Sequence, residues 1–234
     1  MNRHHILPFG RALWYHRAII SALLATATVA HAQFNDWISP ASGNWDVATN
    51  WSAGLPNSSQ SEVRITNSNS KAVAIQPSTP VNFPNSMTVQ NLRVGGVPPN
   101  TNLLLMNFFG TTTPLRVLND FNIETNGRVL MLYSGLNVSN ALNLRGVFDQ
   151  KSGELTFTNS LTTTMQIEGG RFNLTNGLVT GANLFLGGTN AGYVNQDSGL
   201  VSLAWLELGD KPSVPGSTGA NVCSAKRLAH RQRR

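Results

Sequence analysis

The chain has 234 residues, 41% hydrophobic and only 12% charged, with a formal net charge of +6. Between Gln33 and Asp210 it holds no histidine and no cysteine: the histidines stand at 4, 5, 16, 31 and 230, and the one cysteine at 223. That body excludes a Ser-His-Asp relay, a cysteine nucleophile, a zinc finger and any His-ligated metal, and no cofactor or metal is expected.

The N-terminus reads as a signal peptide over residues 1–32. Arg3, Arg11 and Arg17 make a positive leader, Ala18 to Ala30 is apolar, and Ala30-His31-Ala32 supplies a small-x-small cleavage site before Gln33. The apolar run is shorter than the roughly 20 residues that span a bilayer, and no later segment is long and apolar enough to do so. A secreted or cell-surface product follows.

Residues 33–84 form a Trp-rich N-terminal segment. Trp37, Trp45 and Trp51 lie close together, spaced by Gly43, Gly54 and Pro56. They read as a cap that closes the apolar end of a first coil. The alternative is a carbohydrate-binding platform, with the same three residues stacking on sugar rings. Val63-Arg-Ile65 and Val73-Ala-Ile75 then alternate as two strands.

Over residues 85–210 apolar residues step by two, as in Leu136-Asn-Val138, Leu142-Asn-Leu144 and Phe172-Asn-Leu174. Phe148 to Phe157 lines up with Val194 to Leu203, sharing Gln-x-Ser-Gly, and Gly127-Arg-Val and Gly170-Arg-Phe restart the same phrase. Closers recur as Leu144-Arg-Gly146, Leu186-Gly-Gly188 and Leu208-Gly-Asp210. Repeats averaging about two dozen residues predict a right-handed parallel β-helix, each coil burying the apolar face of the next. A β-sandwich is the alternative architecture.

The string G-x-W-x(4)-N-W-x(2)-G-x-P from Gly43 to Pro56, followed by Gly-initiated coils closing on Leu-x-Leu-Gly, resembles secreted β-helical proteins. These are the autotransporter-associated β-strand-repeat type, common in verrucomicrobial and planctomycete genomes. The resemblance covers Trp37 to Asp210 and implies export and surface display. Such proteins often carry a Pro-Glu-Pro sorting signal; here Val214-Pro215-Gly216 and Arg233-Arg234 have no apolar span between them. A released or truncated product is the expectation.

Residues 211–234 read as a disordered basic tail, rich in Pro, Gly, Lys and Arg. The positive charge belongs to the two ends. The body has eight basic and eleven acidic residues, so no nucleic-acid partner is expected. A last coil around Trp205 and Leu208 without a cap would favour self-association.

An enzymatic alternative, a polysaccharide lyase or hydrolase, needs paired carboxyls or a basic residue beside acids. Asp149, Lys151 and Glu154 are the nearest approach, and Asp149 and Asp197 fall two residues out of phase. No catalytic residue is assigned. The body is expected to be a structural or adhesive, adhesin-like display protein, possible partners being extracellular polysaccharides.

Overall fold

A computed structural model describes residues 33–159, 162–209 and 221–224. The leader expected over residues 1–32 lies outside them. Every strand ladder among the described residues is parallel, the interior strands pairing with the coils before and after them. The body is a β-solenoid, and the antiparallel sandwich is excluded.

Strands fall into three columns. The first stacks Phe34–Asp36, Glu62–Ile65, Leu92–Val94, Asp120–Ile123, Ala141–Leu144 and Thr164–Ile167, then the C-terminal halves of Leu178–Leu186 and Leu200–Leu208. The second stacks Gly43–Asn44, Ala72–Ile75, Asn102–Met106, Gly127–Met131, Val147–Gln150, Arg171–Leu174, Tyr193–Gln196 and Asn221–Ser224. The third stacks Thr88–Val89, Gly110–Val117, Ser134–Val138, Glu154–Phe157 and the N-terminal halves of the two long strands. Those long strands run across a corner that earlier coils turn, so the first and third columns merge into one sheet.

Alternation turns every second side chain inward. One buried ladder runs through Val63, Leu92, Phe121, Leu142, Met165 and Leu184, and another through Val73, Leu104, Val129, Phe148 and Phe172. Phe148 and Val194 are each in register with Phe172, so the sequence offset between their repeats is two coils. Register partners lie between 19 residues (Met165 and Leu184) and 31 residues (Val73 and Leu104) apart. The longer early coil holds a helical turn, Thr79–Asn82.

Glycines that follow Ser152, Asn176 and Ser198 form one corner. Gly153, Gly177 and Gly199 stack with φ of +89°, +107° and +86°, and a Cβ on Gly177 would stand 2.4 Å from the Gly153 carbonyl oxygen. Gln150 ties this corner by donating from Nε2 to the carbonyls of Gly153 and Leu178, both at 3.1 Å.

Two expected boundaries shift. Glu62–Ile65 and Ala72–Ile75 are rungs of the same columns as later strands, so the coils do not begin at residue 85 but run back to Phe34. The inward positions there are Val63, Ile65, Val73 and Ile75, which join the common core. Within the stretch read as a disordered tail, Asn221–Ser224 is a strand paired with Tyr193–Gln196.

Alanine at Gly54, where φ is +73° and no atom lies within 4 Å of the added Cβ, should cost only the left-handed backbone strain, about 1–2 kcal/mol. Alanine at Gly177 adds a backbone collision and should cost clearly more. Urea denaturation of the two variants compares them; equal losses would remove the stacked-corner account.

Candidate functional site

The three tryptophans come together, but inward. Trp45 is 0% exposed, and Trp37 and Trp51 are nearly as buried. Trp51 meets both other rings edge-on at centroid distances of 5.1 Å. Each indole N–H donates to a carbonyl: Trp37 to Ala41 at 3.3 Å, Trp45 to Ser86 at 3.1 Å and Trp51 to Trp45 at 2.8 Å. A Cβ at Gly43 would come to 3.0 Å from the Asn50 side-chain amide nitrogen and into van der Waals contact with the Trp37 ring. No indole face is left open for a sugar, and the cluster packs as a cap.

Sequence reasoning missed the polar half of that cap. Asn35 is in register with Val63, an inward position, and is fully buried. Its Nδ2 donates to Gln60 Oε1 at 3.0 Å and to the Gly54 carbonyl at 2.8 Å, while its Oδ1 accepts from Ala53 N–H at 2.9 Å. Gln60 Nε2 donates to the Leu55 carbonyl at 3.1 Å. An asparagine one rung before the first apolar ladder was the available signal.

A polar face of different character runs along the outside of the first column. Successive rungs carry Asp36, Arg64, Arg93, Asn122, Asn143, Gln166, Phe185 and Glu207. At one end Arg64 makes a bidentate pair with Asp36, at 2.6 and 2.7 Å, and lies 4.0 Å above the Phe34 ring. The Asp36 hydrogen bond raises the Arg64 pKa further above its ordinary value. Arg93 bridges Glu62 at 3.0 Å and Glu124 at 3.3 Å.

In the middle of this face lies a recess of about 90 Å³, lined by Asn122, Glu124, Asn143, Arg145, Gln166 and Glu168, with Ile123 and Leu144. Asn143 Nδ2 donates to Asn122 Oδ1 at 2.8 Å, and Arg145 reaches Glu124 at 3.7 Å. Glu168 accepts from Gln166 Nε2 at 3.3 Å, from Thr189 N–H at 3.0 Å and from the Thr189 hydroxyl. Phe185 follows Gln166 on the next rung.

The second column's outer ladder is spent on itself. Arg128 pairs with Asp149 at 2.6 Å, Asn173 Nδ2 donates to Asp149 Oδ1 at 2.7 Å, and Asn195 Nδ2 to Asn173 Oδ1 at 2.7 Å. Asp149 therefore stacks with Asn173 and Asn195 and not with Asp197, which lies past the strand. Lys151 Nζ donates to Thr175 Oγ1 at 3.3 Å, and Glu154 lies on the third column, so Asp149, Lys151 and Glu154 do not assemble into one cluster. Among the described residues no three His, Cys, Asp or Glu side chains gather into a group that would hold a metal.

Comparison with protein-family models, with curated proteins and with solved structures finds no match to this chain.

Cap and face differ in what they contribute to stability. Trp45→Ala should cost about 3–5 kcal/mol, as large aromatic deletions from cores do. Asn143→Ala, on the solvated face, should stay within about 0.5 kcal/mol. Chemical denaturation measures both, and a Trp45→Ala protein as stable as the parent would contradict the cap.

Proposed function

We propose that this chain is an exported, non-catalytic display scaffold of the cell surface or extracellular space, with a structural or adhesive role. The observation that carries this reading is the outward side of the solenoid. Polar side chains repeat from rung to rung and bond along the axis, as in Asn122 with Asn143 and Asn137 with Thr156. Such a surface suits many weak hydrogen bonds spread over a length, as in solenoids that bind through extended faces.

Export is supported by the leader chemistry of Arg3, Arg11 and Arg17, the apolar run Ala18 to Ala30 and the Ala30-His31-Ala32 site. The Gly43 to Pro56 motif and its resemblance to secreted β-strand-repeat proteins point the same way. A glycosidase divides acid and base or nucleophile roles between two carboxyls facing a cleft. The two carboxyls that line the recess, Glu124 and Glu168, are engaged by Arg93, Arg145, Gln166 and Thr189. The partner is an extracellular polysaccharide, and the acidic balance of the body argues against nucleic acid.

Copies of the chain also meet through the last long strand. Leu206 and Leu208 occupy inward positions, in register with Leu184 and Leu186, yet are 39% and 53% exposed. Among the described residues Leu200–Leu208 pairs on one side only, and such an edge offers apolar surface and backbone groups to a second strand.

Two measurements test this reading. Mass spectrometry of the protein recovered from its native cells should find Gln33 as the first residue, and protease added to intact cells should degrade it. A product that keeps Met1 to Ala32 and resists external protease would refute export. Sedimentation of the purified protein should show concentration-dependent association that Leu208→Asp abolishes and Asn195→Ala leaves intact.

A further inference from the structure

We infer that the outer face of the first column binds a neutral linear polysaccharide laid along the solenoid axis, with the recess holding its hydroxyls and Phe185 stacking against a sugar ring. This rests on the display reading and gives it a site and a ligand class.

Three observations converge on this face. Asn122, Asn143 and Gln166 stand on successive rungs, about 4.8 Å apart along the axis, close to the length of one pyranose unit. Asn143 and Asn122 share one hydrogen bond, which leaves Asn122 Nδ2 and Asn143 Oδ1 with no protein partner among the described residues. A donor and an acceptor are thus held side by side for hydroxyls, which both give and accept hydrogen bonds. The second column offers no such surplus in its centre, because Asn173 both donates to Asp149 and accepts from Asn195.

Phe185 is the second observation. It holds an outward position, in register with Gln166 and Glu207, and stays half-buried on a row that is otherwise polar or charged. The core does not use this ring. An aromatic face beside amides fits a sugar ring, which has apolar C–H faces and a polar rim. Trp205, 62% exposed, stands on the adjoining rung in register with Asn183, on the same side as Phe185. It extends the apolar end of the strip.

The charges select the ligand class. The recess sets Glu124 and Glu168 against Arg145, so mixed charge with an acidic excess lines it. That arrangement hydrogen-bonds neutral hydroxyls and repels a uronic-acid polymer.

The test is titration of the full-length protein with cellohexaose, xylohexaose and mannohexaose, read by calorimetry and by tryptophan fluorescence, with Trp205→Phe identifying the part that Trp205 contributes. At least one should bind saturably. Phe185→Ala and Asn143→Ala should each weaken it at least tenfold, and Asn195→Ala on the second face should leave it within twofold. Thermal melting of each variant checks that it folds, and Asn143→Ala keeps the test alive if Phe185→Ala does not. No saturable binding, binding that survives both substitutions, or a preference for polygalacturonate would each overturn the inference. An exported, surface-displayed protein blind to all three oligosaccharides would leave the display reading standing. An unexported protein that binds them would do the reverse.

Discussion

Every coil of this molecule depends on the coil beside it for two things at once: partners for its backbone and cover for its apolar side chains. A single coil has neither, because its strands pair only with strands 19 to 31 residues away. Stacking in register meets both needs together, placing Val63 under Leu92 and Leu92 under Phe121 while their amides and carbonyls bond. A slip by one residue would turn each ladder outward, so the register is strongly held. The corners obey the same constraint. Coils approach there at backbone distance, and at the stacked Gly153, Gly177 and Gly199 only glycine fits the space and the positive φ.

The two ends of the stack meet this constraint differently. At the N-terminal end, Trp37, Trp45 and Trp51 cover the apolar interior, while Asn35 and Gln60 replace the next apolar rung with a satisfied amide pair. Buried amides are costly unless fully bonded, and here Asn35 is engaged at both its nitrogen and its oxygen. Toward the other end Leu206 and Leu208 keep inward positions yet stay 39% and 53% exposed, with no such cap over them among the described residues. The two ends are therefore chemically unlike.

Much of the fold was legible because it is written in local rules. Alternation at Leu142 and Leu144 or Phe172 and Leu174 reports a buried side every second residue, and the repeated Gln-x-Ser-Gly marks a repeated corner. The outer face was not legible, because its neighbours are set by register and not by sequence. Asn122 meets Asn143 only because Phe121 sits on Leu142. Irregular coil lengths hide such pairs from any fixed-period search. The tryptophans show the opposite failure. Their clustering was plain, yet whether an indole faces sugar or core depends on what lies beneath it, and Ser86, the partner of Trp45, is 41 residues away.

A body with no histidine or cysteine must do its work with amides, hydroxyls, carboxylates, guanidinium groups and aromatic rings. Those groups are poor at proton relay near neutral pH but well suited to holding other molecules. The solenoid separates the two duties of its residues. Inward positions fix the register, while outward positions bond mainly with outward neighbours on the same or adjoining rungs, as Arg93 does with Glu62 and Glu124. The first column shows the result: charged groups at Asp36, Arg64 and Arg93, amides at Asn122, Asn143 and Gln166, and then the Phe185 ring follow one another along one row. A globular fold would need loops to place such a series. Here the backbone spacing alone does it.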